Sequence, residues 1–247
     1  MALHPYGVQR EVFRDSHGDS HRFAYLISGR LRKTASRVLH NSTSPGSARE
    51  SDARENDRRL AARGFIVCRL APKTLSPLDS MNRSCRGLGE DSRRATEAKL
   101  AVNGDGFGIS WYGEDHCPGL YRDVLPAWAD GNLISLCRMM KSHLFLAHVR
   151  ASTMGATSRE NCHPFAWDNW SFCHNGQVPH YPQIRRALET ALPDPLYLAR
   201  RGTTDSEMIF LTLLANGLND DPQAALEKTI AAIGQGKAPV KVTCVFS

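Results

Sequence analysis

No apolar run in this chain approaches the roughly 20 residues that a membrane-spanning helix needs, which excludes a helical membrane protein. A disulfide framework is missing as well. The seven cysteines, at 68, 85, 117, 137, 162, 173 and 244, are odd in number and include no CxxC pair. A chain of 247 residues can bury a core without such staples, so a reducing cytoplasm and mostly small, buried thiols are expected. No secretory signal opens the sequence, whose longest early apolar stretch is only Phe23–Ile27, and seven acids among the first 67 residues argue against an organellar transit peptide. The length leaves no room for a second catalytic domain.

Basic charge is present, but it is misplaced for a nucleic-acid surface. The net charge is +6, of which residues 1–67 supply +5 (twelve Lys and Arg against seven acids), leaving +1 for everything from Cys68 onward. Acids interleave those arginines, and Phe23 with Tyr25 is the single aromatic cluster, so the stacking platform of a single-strand binder is lacking. Neither a nucleic acid nor a membrane is expected as a partner. The same segment has eleven Arg to one Lys, no sustained period of 3.6 or 2, and no large apolar residue between Asn41 and Arg59. It reads as a disordered or spurious extension over 1–67, followed by one globular domain over 68–247.

Within that domain, KLAVNGDGFGISWY suits two strands joined by a bend, and HLFLAHVRAS suits a buried strand. Helical spacing follows Asp130 as far as Met140. WSFCHNGQV reads as a strand entering an Asn-Gly turn. Three further helices are expected: Pro182 to Leu192, one capped by Asp205 and ending before Gly217, and one from Asp221-Pro222 to Gly234. PVKVTCVFS alternates as a strand with Val240, Val242, Cys244 and Phe246 on one face. Strands and helices without regular βαβ alternation predict an α+β fold.

Five short motifs stand in order: NGDGFG, HVRAST, NCHPF, HNGQV and TTDSE. Together they resemble the type II, N-terminal-nucleophile glutamine amidotransferases, in the small standalone branch that includes ergothioneine-pathway and glutathione-degrading γ-glutamyl hydrolases. The resemblance is good from Asp91 onward and poor over Cys68–Glu90. It implies a four-layer αββα sandwich, here truncated at its C-terminus because the chain stops in mid-strand. It also implies cleavage of a γ-glutamyl amide through a cysteine thioester. That chemistry needs a nucleophile, a base, donors for an oxyanion and a grip on the amino-acid end. In the family an N-terminal cysteine supplies both thiol and base, its α-amino group having a reference pKa of about 8.

Carried onto this sequence, the resemblance makes Cys68 the nucleophile, Asn175 and Gly176 the oxyanion donors, Arg150 the clamp on the substrate α-carboxylate and Asp205 the partner of its α-ammonium, with Thr153 and His163 lining the pocket. No cofactor or metal is implied. The substrate is glutamine or a γ-glutamyl conjugate, and a synthetase or a second copy of the chain is a possible macromolecular partner. Plainer roles stand beside these: a hairpin turn at Asn175-Gly176, a solvated charge at Arg150, a helix cap at Asp205, a core histidine at His163. Cys162-His163 and Cys173-His174 offer zinc-type ligands, but adjacent strand residues point to opposite faces. An EF-hand-like spacing over 103–114 places Phe107 where an oxygen ligand is required.

Cys68 precedes NGDGFG by 35 residues, as the family's layout asks; Cys85, at 18, is too near. With 67 residues before it, however, Cys68 has an amide nitrogen that cannot act as a base. A pro-segment removed before Cys68, a translation start at Val67, or a catalytically inactive γ-glutamyl-binding protein would each account for this.

Overall fold

Strands and helices follow one another without βαβ regularity. The strands are β1 (Val8–Phe13), β2 (Arg22–Leu31), β3 (Phe65–Arg69), β4 (Phe107–Trp111), β5 (Gly119–Asp123), β6 (Leu144–Val149), β7 (Phe165–Trp167), β8 (Trp170–Gly176) and β9 (Val240–Phe246). The helices are α1 (Gly131–Met139), α2 (Tyr181–Thr190), α3 (Asp194–Ala199), α4 (Asp205–Ala215) and α5 (Pro222–Gly234). The structure is a computed structural model that describes residues 8–13, 22–31, 65–69, 104–140, 142, 144–150, 156–234 and 240–247. It divides into two units, Ser42–Cys173 and Met1–Asn41 with His174–Ser247. The α+β class read from the sequence is what the described elements form.

The Ser42–Cys173 unit is built on an antiparallel sheet in the order β3-β6-β4-β5. All six residues of β6 are buried, as suits an inner strand covered on both faces. On one side β6 pairs with β4, Phe107 opposite Val149; on the other it pairs with β3, Phe65 opposite His148 and Cys68 opposite Phe145. Phe107, Ile109, Phe145, Ala147 and Val149 share one apolar cluster with Leu133, Cys137 and Met140, contributed by α1 and its C-cap. Burying a side chain such as Phe107 or Ile109 completely contributes about 1.5–3 kcal/mol. Asp130 caps α1 by accepting from the amides of Asn132 (2.8 Å) and Leu133 (3.4 Å). It also accepts the Tyr121 hydroxyl at 2.5 Å, and burial together with this bond pushes Tyr121 up to about 12.

The glycines of NGDGFG have a steric reason in this unit. Gly106 has φ +115°, and a Cβ there would meet the Cys162 thiol at 2.6 Å. At Gly108 a Cβ would lie 2.2 Å from the carbonyl oxygen of His163, so the NCHPF backbone can rest on β4 only where no side chain stands.

In the other unit β1-β2-β9 form an antiparallel sheet, with Val8 opposite Ile27 and Tyr25 opposite Phe246. The last residues of β8, His174–Gly176, belong here too, together with α2 to α5. Helix α4 is buried at every residue from Asp205 to Leu213, which marks it as the central helix of the unit. Helix α5 packs along it, and Asn216 Nδ2 donates to Thr229 Oγ1 at 3.0 Å across the pair. Gly217, at φ +92°, ends the run, with the Leu218 amide returning to the Leu213 carbonyl at 3.2 Å.

Several expectations change. Residues 8–13 and 22–31 are paired strands and 65–67 belong to β3, so the N-terminal segment is not unstructured throughout. Asn175-Gly176 is no hairpin turn: β8 runs through it and the next element is α2. Asp205 is the first residue of α4 rather than its cap; the cap is Thr204, whose hydroxyl accepts from the Glu207 amide at 3.2 Å. Of the two strands expected in KLAVNGDGFGISWY only β4 is seen, residues 99–103 lying outside the described residues. Cys162, Cys173 and Cys244 are buried thiols, and Cys137 is disulfide-bonded. Among the described residues no helix is long and apolar enough to cross a membrane.

The glycine contacts give a direct test. Gly108→Ala should lower unfolding free energy by about 1–3 kcal/mol or more, because backbone rather than a pliable side chain must yield. Gly131→Ala, in the first turn of α1 with nothing within 4 Å of its added methyl, should be neutral or stabilising by up to about 1 kcal/mol. Denaturant titration of the two variants beside the parent checks both; equal midpoints would refute the close-approach argument.

Candidate active site

In the unit that contains α4, β8 delivers Asn175 and Gly176 to the surface, while the preceding His174 is buried. The Val178 amide donates to Asp205 Oδ2 at 2.7 Å, which draws the chain just beyond Gly176 onto the first turn of α4. His174 Nδ1 and Ser206 Oγ are hydrogen-bonded at 2.9 Å, and Ser206 Oγ also donates to Asp205 Oδ1 at 3.4 Å. Three sequence-predicted residues, Asn175, Gly176 and Asp205, are thereby brought together. Asp205 is 7% exposed and retains lone pairs beyond those two contacts, so its carboxylate can still accept from an ammonium group.

The loop before α4 is held by a carboxylate that the sequence reading did not single out. Glu207, itself buried, accepts the amides of Arg201 (2.9 Å) and Gly202 (2.8 Å). Arg200 pairs with Glu189 and, at 4.0 Å, with Glu207, and donates to the Tyr181 hydroxyl at 3.1 Å. A signal for this was available: Thr204-Asp205-Ser206-Glu207 has the T-x-x-E spacing of a capping box.

The other unit holds Arg150 and His163. Arg150 follows β6, is 5% exposed and is fixed at both backbone atoms, its amide donating to the Gly106 carbonyl at 2.8 Å and its carbonyl accepting the Asp105 amide at 3.1 Å. Its guanidinium donates to the Asp105 carbonyl at 3.3 Å. It is therefore a buried, oriented cation and not the solvated charge of the plainer reading. His163 is buried between His148, with ring centres 4.5 Å apart, and Phe165, at 4.7 Å. His148 went unnoticed in the sequence because β6 reads there simply as a core strand. Cys162, beside it, is a thiol pushed up by burial, an effect the nearby Arg150 charge opposes.

Cys68 lies in β3 opposite Phe145, five residues before Arg150 on the neighbouring strand. At about 3.4 Å per residue that is roughly 17 Å of strand, so the 247-residue chain does not bring Cys68 and Arg150 together. Thr153 lies outside the described residues. Among the described residues no three His, Cys, Asp or Glu side chains converge as metal ligands.

Residues 84–236, more than half of the chain and including all five motifs, match the class-II glutamine amidotransferases. The chain belongs to that family. Cys68 lies before the matched residues of this chain. It is 40% identical over 129 residues to DUG3 of Saccharomyces cerevisiae, described as a probable glutamine amidotransferase, with 50% of this chain and 36% of that protein covered. It is 31% identical over 134 residues to the γ-glutamyl-hercynylcysteine sulfoxide hydrolase of Mycobacterium tuberculosis, covering 54% and 50%. The chain thus spans half or less of the length of these two relatives. A solved class-II glutamine aminotransferase domain protein from Silicibacter pomeroyi shares 42% identity and superposes with a TM-score of 0.50, covering 58% of this chain and 64% of that one.

His174 makes one part of the candidate site testable by pH. Burial pushes it from 6.5 down to about 4, against the opposing pull of the Asp205 carboxylate. Between those values the unfolded chain takes up a proton that the folded protein refuses. The stabilisation is therefore complete above pH 6.5 and is lost as pH falls toward 4, by on the order of 3 kcal/mol. Denaturant midpoints measured from pH 7 to pH 4.5 should decline for the parent and decline less for His174→Gln. Parallel declines would show that another group is responsible.

Proposed function

We propose that this chain hydrolyses a γ-glutamyl amide through a thioester on Cys68, with its elements stacked as an αββα sandwich. The observation that carries the reading is the 2.7 Å bond from the Val178 amide to Asp205, which holds the Asn175-Gly176 strand end beside a buried carboxylate. In this reading the Cys68 thiol, deprotonated by its own free amine, attacks the γ-carbonyl carbon. The Asn175 side-chain amide and the Gly176 backbone N–H stabilise the oxyanion, worth about 2.7–4 kcal/mol per donor in such sites. The amine returns the proton to the leaving nitrogen, and water then resolves the glutamyl thioester. Arg150 grips the α-carboxylate with a planar fork that suits it, and Asp205 grips the α-ammonium. Thr153 and His163 complete the pocket wall.

The register of β3 supports a role for removal of the first 67 residues. In the full chain Phe65–Val67 occupy the places opposite Leu146–His148. Without them the strand is free to slide by four residues, an even shift that preserves which side chains face which way, and Cys68 then comes opposite Val149 beside Arg150. The substrate is a γ-glutamyl conjugate in preference to free glutamine, a reading supported by the similarity to a γ-glutamyl-hercynylcysteine sulfoxide hydrolase. The cytoplasm is the proposed compartment. A partner synthetase receiving the ammonia is the second use of the same site.

The test compares a polypeptide beginning at Cys68 with the 247-residue chain. The former should release glutamate or an amine from γ-glutamyl compounds, and the latter should not. Cys68→Ser should reduce release by several orders of magnitude. If the Cys68-initiated protein folds and binds glutamine but releases nothing, the chain is a γ-glutamyl-binding protein and not an enzyme. Turnover by a chain that mass spectrometry shows to retain residues 1–67 would refute the free-amine mechanism.

The two ends of the substrate predict distinct defects. Asp205→Asn keeps an acceptor oxygen for Val178 but removes the charge, so KM should rise by about tenfold or more while thermal stability changes little. Arg150→Lys should also impair binding, because an ammonium cannot reproduce the fork. Loss of stability in Asp205→Asn with KM unchanged would assign that carboxylate a purely structural role.

A further inference from the structure

Two hydrogen bonds leave the segment 174–178 and reach adjacent residues. On one side of Asn175-Gly176, His174 Nδ1 is bonded to Ser206 Oγ at 2.9 Å; on the other, the Val178 amide donates to Asp205 Oδ2 at 2.7 Å. The segment is thus tied at both ends to the first two residues of α4. Both side chains of the first tie are buried, His174 at 2% and Ser206 at 5% exposure, so water cannot replace either partner. Ser206 Oγ also donates to Asp205 Oδ1 at 3.4 Å, which links the two ties through one carboxylate. Helix α4 is buried along its first nine residues and cannot shift to accommodate a displaced strand end.

We infer that His174 and Ser206 are positioning residues which fix the reach from the Asn175-Gly176 donors to the Asp205 carboxylate, and so set the substrate's length to γ-glutamyl rather than β-aspartyl. The inference rests on the roles proposed above for Asn175, Gly176 and Asp205. A substrate held by its α-ammonium at Asp205 presents its side-chain carbonyl to the donors only if the number of methylenes matches the gap. A β-aspartyl amide is one methylene short. It must leave either the carboxylate or the donors unpaired, and one methylene in a fitted site is worth about 10–200-fold. Such a length gauge works only while its two ends cannot approach one another. The His174–Ser206 bond is the tie that neither contacts substrate nor supplies a donor to it, so it can be removed without removing a binding group.

The experiment is calorimetric titration of the 247-residue chain with L-glutamine and with L-asparagine, repeated for Ser206→Ala, His174→Gln and the double variant. The parent should prefer glutamine by about tenfold or more. Ser206→Ala should narrow that preference at least about fivefold, chiefly by weakening glutamine, and His174→Gln should narrow it to a similar degree. Because the two residues act through one bond, the double variant should do little more than either single one. Ser206→Thr, which keeps the hydroxyl, should restore most of the preference.

An unchanged glutamine-to-asparagine ratio in folded Ser206→Ala and His174→Gln proteins would overturn the inference and leave the proposed reaction standing. Additive effects in the double variant would overturn it as well, since the residues would then act separately. A parent chain that binds both amino acids equally sinks the length gauge alone. One that binds neither sinks both the gauge and the reading on which it rests.

Discussion

The first turn of α4 is buried, Thr204 through Glu207 being no more than 8% exposed, yet a helix start carries amide groups with no partner inside the helix. Those donors and four polar side chains must all be satisfied within the protein. Thr204 caps the Glu207 amide, Glu207 takes the amides of Arg201 and Gly202, and Asp205 takes that of Val178. Ser206 takes His174. Every one of these bonds fixes a neighbouring loop or strand end, and so satisfying a buried helix terminus is what organises the candidate residues of this unit. The positive end of the helix dipole favours the two carboxylates gathered there.

In the other unit the organising feature is empty space. Gly108 of β4 allows the backbone of the NCHPF segment to lie against the strand, and Gly106, just before β4, leaves room for the Cys162 thiol while its carbonyl anchors Arg150. The arginine's orientation therefore comes from a main-chain ladder extended one residue past β6, a more rigid support than a side-chain contact. The same arrangement buries His163 against His148 and Phe165, which gives that histidine a packing role whatever else it does.

Much of this was legible from local pattern. β6, α1, α4, α5 and β9 follow their apolar periods, because each buries one face or its whole surface. β5 was not legible, since none of its residues is buried and no alternation marks it; β7 has three residues and α3 six, too few to display a period. β2 pairs with β9, more than 200 residues away in sequence, which no local window contains, and β1 pairs with β2 in turn. Asn175-Gly176 has the composition of a turn but ends a strand, and Asp205 has the composition of a cap but sits one residue too late. In both cases a tertiary partner, Val178 for the aspartate and the α4 terminus for the strand end, overrode the local preference. The site motifs were recognisable as a set, whereas the ties among His174, Ser206 and Glu207 required the helix and the strand to be seen together.

The Val67–Cys68 peptide lies inside β3, which is paired with β6 along its whole length at the edge of the sheet. A protease takes hold of an extended segment whose main-chain groups are free, and a strand already paired offers such a segment only when it opens. Ribosomal order changes this. β3 is synthesised roughly 75 residues ahead of the strand it pairs with, and at about 5–20 residues per second that leaves on the order of ten seconds in which β3 has no partner on β6. If the amine of Cys68 is liberated by cutting, translation speed across that interval becomes a determinant of how many molecules mature, and slow codons between the two strands would raise the yield of active protein without altering a single residue.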